Sequence, residues 1–319
     1  MPRDSHSIHG KLMAGPGVSV ELARNLMEVP AAWIIAEGRR GRLERIEWQG
    51  TSYARKIYRV TSPAPLHPFL RLVPGLVRWS RARRSWQSMH RGLHKQLPLP
   101  EPIALQEKRD GAILISSWIR GEPLHHWHAR ALQEGLKAVD EFRFARWIGA
   151  ELGRVLIGGL STRDLAPQNV LIDGPPEGPW KFSIVDLDDS RVGSAPARQR
   201  VVHSLAQVGH LPPTITRTLK WRAIESFLMD GGLELVGDRR RAIEEISASI
   251  TRLDHLKAQR QIRKGRTGPM AGWGIDEHGL PVPFAGARKG PGTDLIDAAP
   301  EPDQRAEDET ADRESRRTT

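Results

Sequence analysis

Three short stretches, residues 32–36, 43–48 and 53–60, have the length and apolar content of strands. The turn-forming groups Glu37-Gly38-Arg39-Arg40-Gly41 and Gln49-Gly50-Thr51-Ser52 separate them, so the pattern predicts an antiparallel meander. A short helix precedes it, Val20 to Glu28, stopped near Pro30. A Pro-rich connection (61–75) leads to a second predicted helix (77–97), with Trp79, Trp86, Met89 and Leu93 at helical spacing. Its Pro-rich end gives way to strands at 103–105 and 112–119.

Beyond residue 120 the period changes. Phe144, Trp147, Ile148, Leu152, Val155 and Leu156 recur at i, i+3 and i+4, which predicts a helix with a buried face. Short strands are expected at 170–172 and 182–185, around a Pro/Gly turn at 174–179. Residues 201–256 read as helices broken at Pro212-Pro213 and Gly231-Gly232, and the Gly-, Pro- and charge-rich sequence after Gly265 reads as disordered. Strands first, one helix among them, then helices: this order predicts an α+β fold of two lobes. The divisions expected are 1–30, an N-terminal arm and short helix; 31–120, a small antiparallel-sheet lobe; 121–262, a short helical lobe; and 263–319, a tail.

Charge sharpens the picture. The net charge is +10, and the stretch 48–100 contains no Asp or Glu, yet it carries Arg55, Lys56, Arg59, Arg71, Arg78, Arg81, Arg83, Arg84, Arg91 and Lys95. Such a block favours polyanions: nucleotide phosphates, nucleic acid or an anionic membrane surface. Its plainer reading is a solvated basic helix face. The absence of cysteine excludes disulfides, thiolate metal sites and cysteine catalysis. No apolar run approaches the roughly 20 residues of a membrane span, and the N-terminus lacks the apolar centre of a signal peptide. The expected compartment is the cytoplasm, with peripheral contact to an anionic membrane surface as an extension of the charge argument.

The sharpest chemical signal is Thr162-Arg163-Asp164-Leu165-Ala166-Pro167-Gln168-Asn169, leading into an apolar strand. An Asp followed five residues later by Asn has the form of a kinase catalytic loop. Asp164 can accept a hydrogen bond from an attacking hydroxyl, and Asn169 offers a neutral oxygen to a metal ion. Downstream, Asp186 leaves a second apolar strand in Ile184-Val185-Asp186-Leu187-Asp188-Asp189, as a metal-binding carboxylate does. Taken singly, each motif also reads as a turn built from Asp and Asn. Lys56, in Tyr53-Ala54-Arg55-Lys56, would face nucleotide phosphates, and Gly38 and Gly41 flank a turn where a phosphate-covering loop belongs. His125, His126 and His128 do not share one helix face, so a solvent-facing helix start is expected there instead of a metal site.

Together these residues resemble the lipopolysaccharide kinase family (Kdo/WaaP type) of the protein-kinase-like superfamily, from about residue 32 to 256. The resemblance implies a bilobal protein-kinase-like fold, ATP and Mg²⁺ as cofactors, and a sugar hydroxyl of the lipopolysaccharide inner core as acceptor. It also implies Asp164 as the catalytic residue, Lys56, Gly38 and Gly41 at the nucleotide, and Asn169 and Asp186 at the metal. Ser85 stands where the family's helix carries Glu, so either Lys56 is held by another group or nucleotide binding is weakened. Thr162 replaces the loop's usual His, and Asp188-Asp189 stand where a basic residue is common. The competing readings are a kinase for another small hydroxyl substrate, a non-catalytic scaffold binding nucleotide or anionic lipid, and a nucleic-acid binder. The last lacks a recognised module or stacking pattern.

Overall fold

The computed structural model describes residues 12–38, 41–59, 81–108, 111–212, 215–263, 273–275 and 281–283. The Pro-rich connection, Trp79, Arg71, Arg78, the Arg39-Arg40 turn and the end of the tail lie outside them.

The N-lobe is a six-stranded antiparallel sheet in the order β1-β5-β6-β4-β3-β2. Its strands are β1 (Leu12–Ala14), β2 (Trp33–Gly38), β3 (Gly41–Trp48), β4 (Thr51–Arg59), β5 (Pro102–Glu107) and β6 (Gly111–Ser117). The expected meander is β2 to β4. The segment read as an arm supplies β1, which pairs with β5, and the short helix expected after it is α1 (Val20–Glu28), which packs on the sheet. Ser19 caps α1 by accepting from the Leu22 N–H, which satisfies a donor that the first turn leaves unpaired.

Strand side chains alternate between faces, and that parity divides the lobe. Ile46, Ala104 and Ile115, with Ile103 at an irregularity of β5 that breaks the alternation, bury one face against Ala23 and Leu26 of α1. Leu105, Ala112 and Leu114 bury the other against Ala82, Trp86 and Met89 of α2 (Arg81–His94). On β4, Arg55 pairs across from Ile115 and Lys56 across from Leu114. Arg55 therefore goes to the α1 side and Lys56 to the α2 side. Arg55 meets the fully buried Glu44 there, with Nε 2.6 Å from the carboxylate, and donates to the carbonyl of Val29 at 2.6 Å. Arg55 thus neutralises the buried acid together with Arg42, and fastens the end of α1 to the sheet.

The C-lobe begins after the irregular link at 118–121. It contains α3 (Leu124–Gln133), α4 (Ala138–Ile157), α5 (Arg198–Gly209), α6 (Arg217–Phe227), α7 (Leu233–Val236) and α8 (Arg239–Arg263). The predicted stripe on α4 is buried at Phe144, Ile148, Leu152, Val155 and Leu156. At Gly149 an added Cβ would stand 2.0 Å from the Ala223 carbonyl, so glycine is what lets α6 lie against α4. Three strands, β7 (Glu122–Pro123), β9 (Val170–Asp173) and β10 (Lys181–Ile184), form one small sheet; β8 (Leu160–Thr162) pairs with β11 (Ser190–Val192). Within the stretch read as disordered, β12 (Trp273–Ile275) and β13 (Pro281–Pro283) pair antiparallel.

The histidine run on α3 corrects the expectation of a solvent-facing helix start. Trp127 is fully buried and stacks on Phe144 at 4.1 Å, and this pulls the helix into the core. His125 and His128 are consequently buried too, His128 against Glu141 at 2.8 Å. Among the described residues no helix is long and apolar enough to cross a membrane.

Breaking the Glu44–Arg55 pair leaves a buried guanidinium without its counter-charge. Glu44→Ala is expected to cost about 3–5 kcal/mol of stability in urea unfolding, whereas Glu47→Ala, on an exposed pair, costs under about 1 kcal/mol.

Candidate active site

Two antiparallel pairings assemble the site. β9 begins just after Asn169 and β10 ends just before Val185, with Val170 opposite Ile184. The Val185 N–H donates to the Asn169 carbonyl at 2.9 Å, so Asn169 and Asp186 emerge side by side. In the second pairing Ser190 lies opposite Thr162. This brings the start of the Asp164 loop beside residues 188 and 189, and the Arg163 N–H points to the Asp189 carbonyl at 3.4 Å.

The loop between them is held from three sides. Gln207 of α5 accepts from the Leu165 N–H at 2.9 Å and donates to the Arg163 carbonyl at 2.7 Å. Thr162 Oγ1 accepts from the Asp164 N–H at 3.1 Å. Buried Asn169 donates Nδ2 to the Asp164 carbonyl at 3.0 Å, which leaves its amide oxygen as the end available to a cation. From α3, the His125 ring donates to the Pro167 carbonyl. Burial, reinforced by the neighbouring His126, pushes His125 down to about 3, so the ring is neutral.

Lys56 reaches this site from the N-lobe. Its Nζ lies 2.6 Å from Asp186 Oδ1 and 2.8 Å from Asp188 Oδ1. Asp188 also accepts from the Tyr58 hydroxyl at 2.7 Å and the Ser85 hydroxyl at 3.1 Å. Burial first, then the Asp188 charge, raises the Tyr58 phenol well above its ordinary value, so it stays a donor. Asp186 has φ +60°, a left-handed conformation uncommon outside glycine, though Asp tolerates it better than most. Asp164 is exposed to the cleft. Desolvation by the surrounding loop, followed by the Asp186 charge, nonetheless raises its carboxyl.

The structure therefore brings Lys56, Asp164, Asn169 and Asp186 to one cleft. Gly38 and Gly41 close the β2–β3 hairpin as its last pair, with Gly41 opposite Tyr58, two residues along from Lys56. A Cβ at Gly41 would stand 2.0 Å from the Ile57 carbonyl, whereas Gly38 faces open space. Sequence reasoning missed Tyr58, Gln207, His125 and above all Asp188 as a partner of Lys56. Tyr58 was legible from strand parity; Gln207 and His125 carry no local motif.

The donor set fits a hard divalent cation bound together with phosphates. Asn169 and Asp186 supply an amide and a carboxylate oxygen, and Mg²⁺ is commonly held by one or two such groups plus substrate oxygens. No cluster of three or more His, Cys, Asp or Glu that could hold a metal by itself exists among the described residues. An apolar hollow in the C-lobe, lined in part by Leu152, Leu205, Val208, Ile215 and Leu219, shares no residue with this cleft.

Five of the ten cations of the basic stretch are compensated in three dimensions. Acids from outside it pair with Arg55 (Glu44), Lys56 (Asp186, Asp188), Arg59 (Glu37), Arg83 (Glu107) and Arg84 (Asp189).

No protein-family model matches the chain, and no curated protein matches it in sequence. Among solved structures it is similar to "WaaP in complex with acyl carrier protein", at 16% identity and a TM-score of 0.57, over 76% of this chain and 99% of that one. At that identity the likeness establishes the fold, which is the kinase-like one of two lobes.

Neutral His125 sets a pH dependence. Its folded-state value lies below the unfolded 6.5, so its contribution is complete above pH 6.5 and is lost as pH falls toward 3. Between pH 6 and 4 the stability of wild type, followed by urea unfolding, should fall more steeply than that of His125→Leu. The difference is up to about 1.4 kcal/mol per pH unit, the slope of one proton.

Proposed function

We propose that this chain is an ATP-dependent kinase, a phosphotransferase with an alcohol acceptor. The acceptor class is a hydroxyl on a small or lipid-linked sugar, of the kind found in the lipopolysaccharide inner core. The observation that carries the reading is the convergence of Lys56, Asp164, Asn169 and Asp186 on one cleft between two lobes.

Each residue has work of its own there. The Lys56 ammonium compensates phosphate charge. Asn169 and Asp186 would hold Mg²⁺, which when bound neutralises charge on the nucleotide phosphates. Asp164 faces the cleft, accepts a hydrogen bond from the acceptor hydroxyl and takes its proton; its raised pKa makes it a better base than an ordinary carboxylate. The Gln207 clamp and the Asn169–Asp164 bond keep that carboxylate's loop in place while the acceptor binds.

The sugar acceptor draws support from the motif resemblance together with the likeness in fold to WaaP. A carrier-protein partner belongs to the same reading, because that WaaP was solved with acyl carrier protein. Peripheral contact with an anionic membrane belongs to the reading through the remaining cations of the basic stretch, since the other five have acidic partners within the fold.

Two variants separate the roles. Asp186→Ala should abolish the Mg²⁺-dependent part of ATP binding in calorimetry. Asp164→Ala should bind MgATP within about threefold of wild type. Its turnover, read as ADP release with inner-core sugars as acceptors, should fall about 10²–10⁴-fold. Full activity in Asp164→Ala would remove the catalytic-loop assignment.

A further inference from the structure

The helix that packs beside Lys56 carries no acid. Ser85 occupies the position where one would be expected, and α2 as a whole contains only Arg and His among its charged or titratable residues. Lys56 nevertheless has two carboxylates, and they differ in what they are free to do. Asp186 is the proposed metal ligand, so a bound cation competes with the ammonium for its oxygens. Asp188, two residues further along, is turned to the N-lobe: Lys56, Tyr58 and Ser85 all direct donors at its Oδ1.

The surroundings of Asp188 are built as a joint. Arg84, Ser85, Ser88 and Arg91 follow one face of α2 at helical spacing, and Lys95 extends the row just past its end. Ser85 meets Asp188, and Arg84 lies 3.6 Å from Asp189. Ser88 donates to the Ser190 carbonyl at 2.9 Å, Arg91 to Val192 at 3.2 Å and Lys95 to Gly193 at 2.5 Å. The helix is thus fastened residue by residue to 188–193. That segment is fixed in turn to the catalytic loop through β8 and β11.

We propose that Asp188 is the positioning residue for Lys56. It does from the segment after Asp186 what an acid on α2 would do, and Ser85 ties it to that helix. When a cation draws Asp186 away, Asp188 keeps the ammonium directed into the cleft. The inference rests on the kinase reading, because it assigns Lys56 to nucleotide phosphates. It adds where the missing acid has gone: across the joint, from the helix to the segment it packs against.

A relocation of charge tests this. MgATP affinity would be measured by calorimetry on the full chain for wild type, Asp188→Asn, Asp188→Ala, Ser85→Ala and the double variant Asp188→Ala/Ser85→Glu, with thermal unfolding to confirm each fold. Asp188→Asn keeps the shape and loses the charge, and its affinity should fall about tenfold or more. Ser85→Ala, which spares the charge, should lose about threefold. In the double variant the longer glutamate reaches the space vacated by the Asp188 carboxylate, and affinity should return to within about threefold of wild type. A purely structural role for Asp188 would not be rescued by a carboxylate placed on the opposite element. Wild-type affinity in Asp188→Asn, or no recovery in a folded double variant, overturns the positioning role and leaves the kinase reading standing. A wild type that binds no MgATP overturns both.

Discussion

The Lys56 ammonium, shared between Asp186 and Asp188, is the contact on which the arrangement of the two lobes turns. It joins β4 of the sheet to the strand-end of the C-lobe, where the Ile184 N–H also donates to the Pro98 carbonyl of the N-lobe at 2.9 Å. The ammonium is about one-quarter exposed, so the pair is worth less as stability than a buried one would be. Its value lies in geometry. An ammonium held by two carboxylates can give one up to a cation and still be aimed by the other.

Much of the remaining structure keeps those carboxylates in place. The pairings of β9 with β10 and of β8 with β11 bring residues far apart in sequence to the same end of the C-lobe. Gln207 and His125, from two different helices, hold the connecting loop through its backbone groups. On the other side of the cleft, Arg55 and Glu44 lock α1 to the sheet that carries Lys56. Adjacent residues of β4 thus do opposite tasks: Arg55 is committed to the scaffold and Lys56 to the cleft.

The local layer of this account was readable in the sequence. Helix α1, the meander, the buried stripe of α4 and the strands flanking Asn169 and Asp186 follow from periodicity and turn residues, which are short-range signals. What was not readable depends on long-range packing. Leu12–Ala14 is too short to announce a strand, and it becomes one only because β5 offers a free edge. The histidines of α3 look polar and exposed until Trp127 draws the helix inward. Five cations of the acid-free stretch meet acids that arrive from other elements, which its sequence alone does not show. Ser85 flagged that Lys56 needed another partner, yet Asp188 as that partner required the fold.

Determining the structure with a non-hydrolysable ATP analogue and Mg²⁺ tests the account most directly. The account predicts the metal on Asn169 and Asp186, and Lys56 turned to the phosphates while it remains on Asp188. Nucleotide bound elsewhere, or Lys56 still held by Asp186 with the phosphates out of its reach, would contradict it.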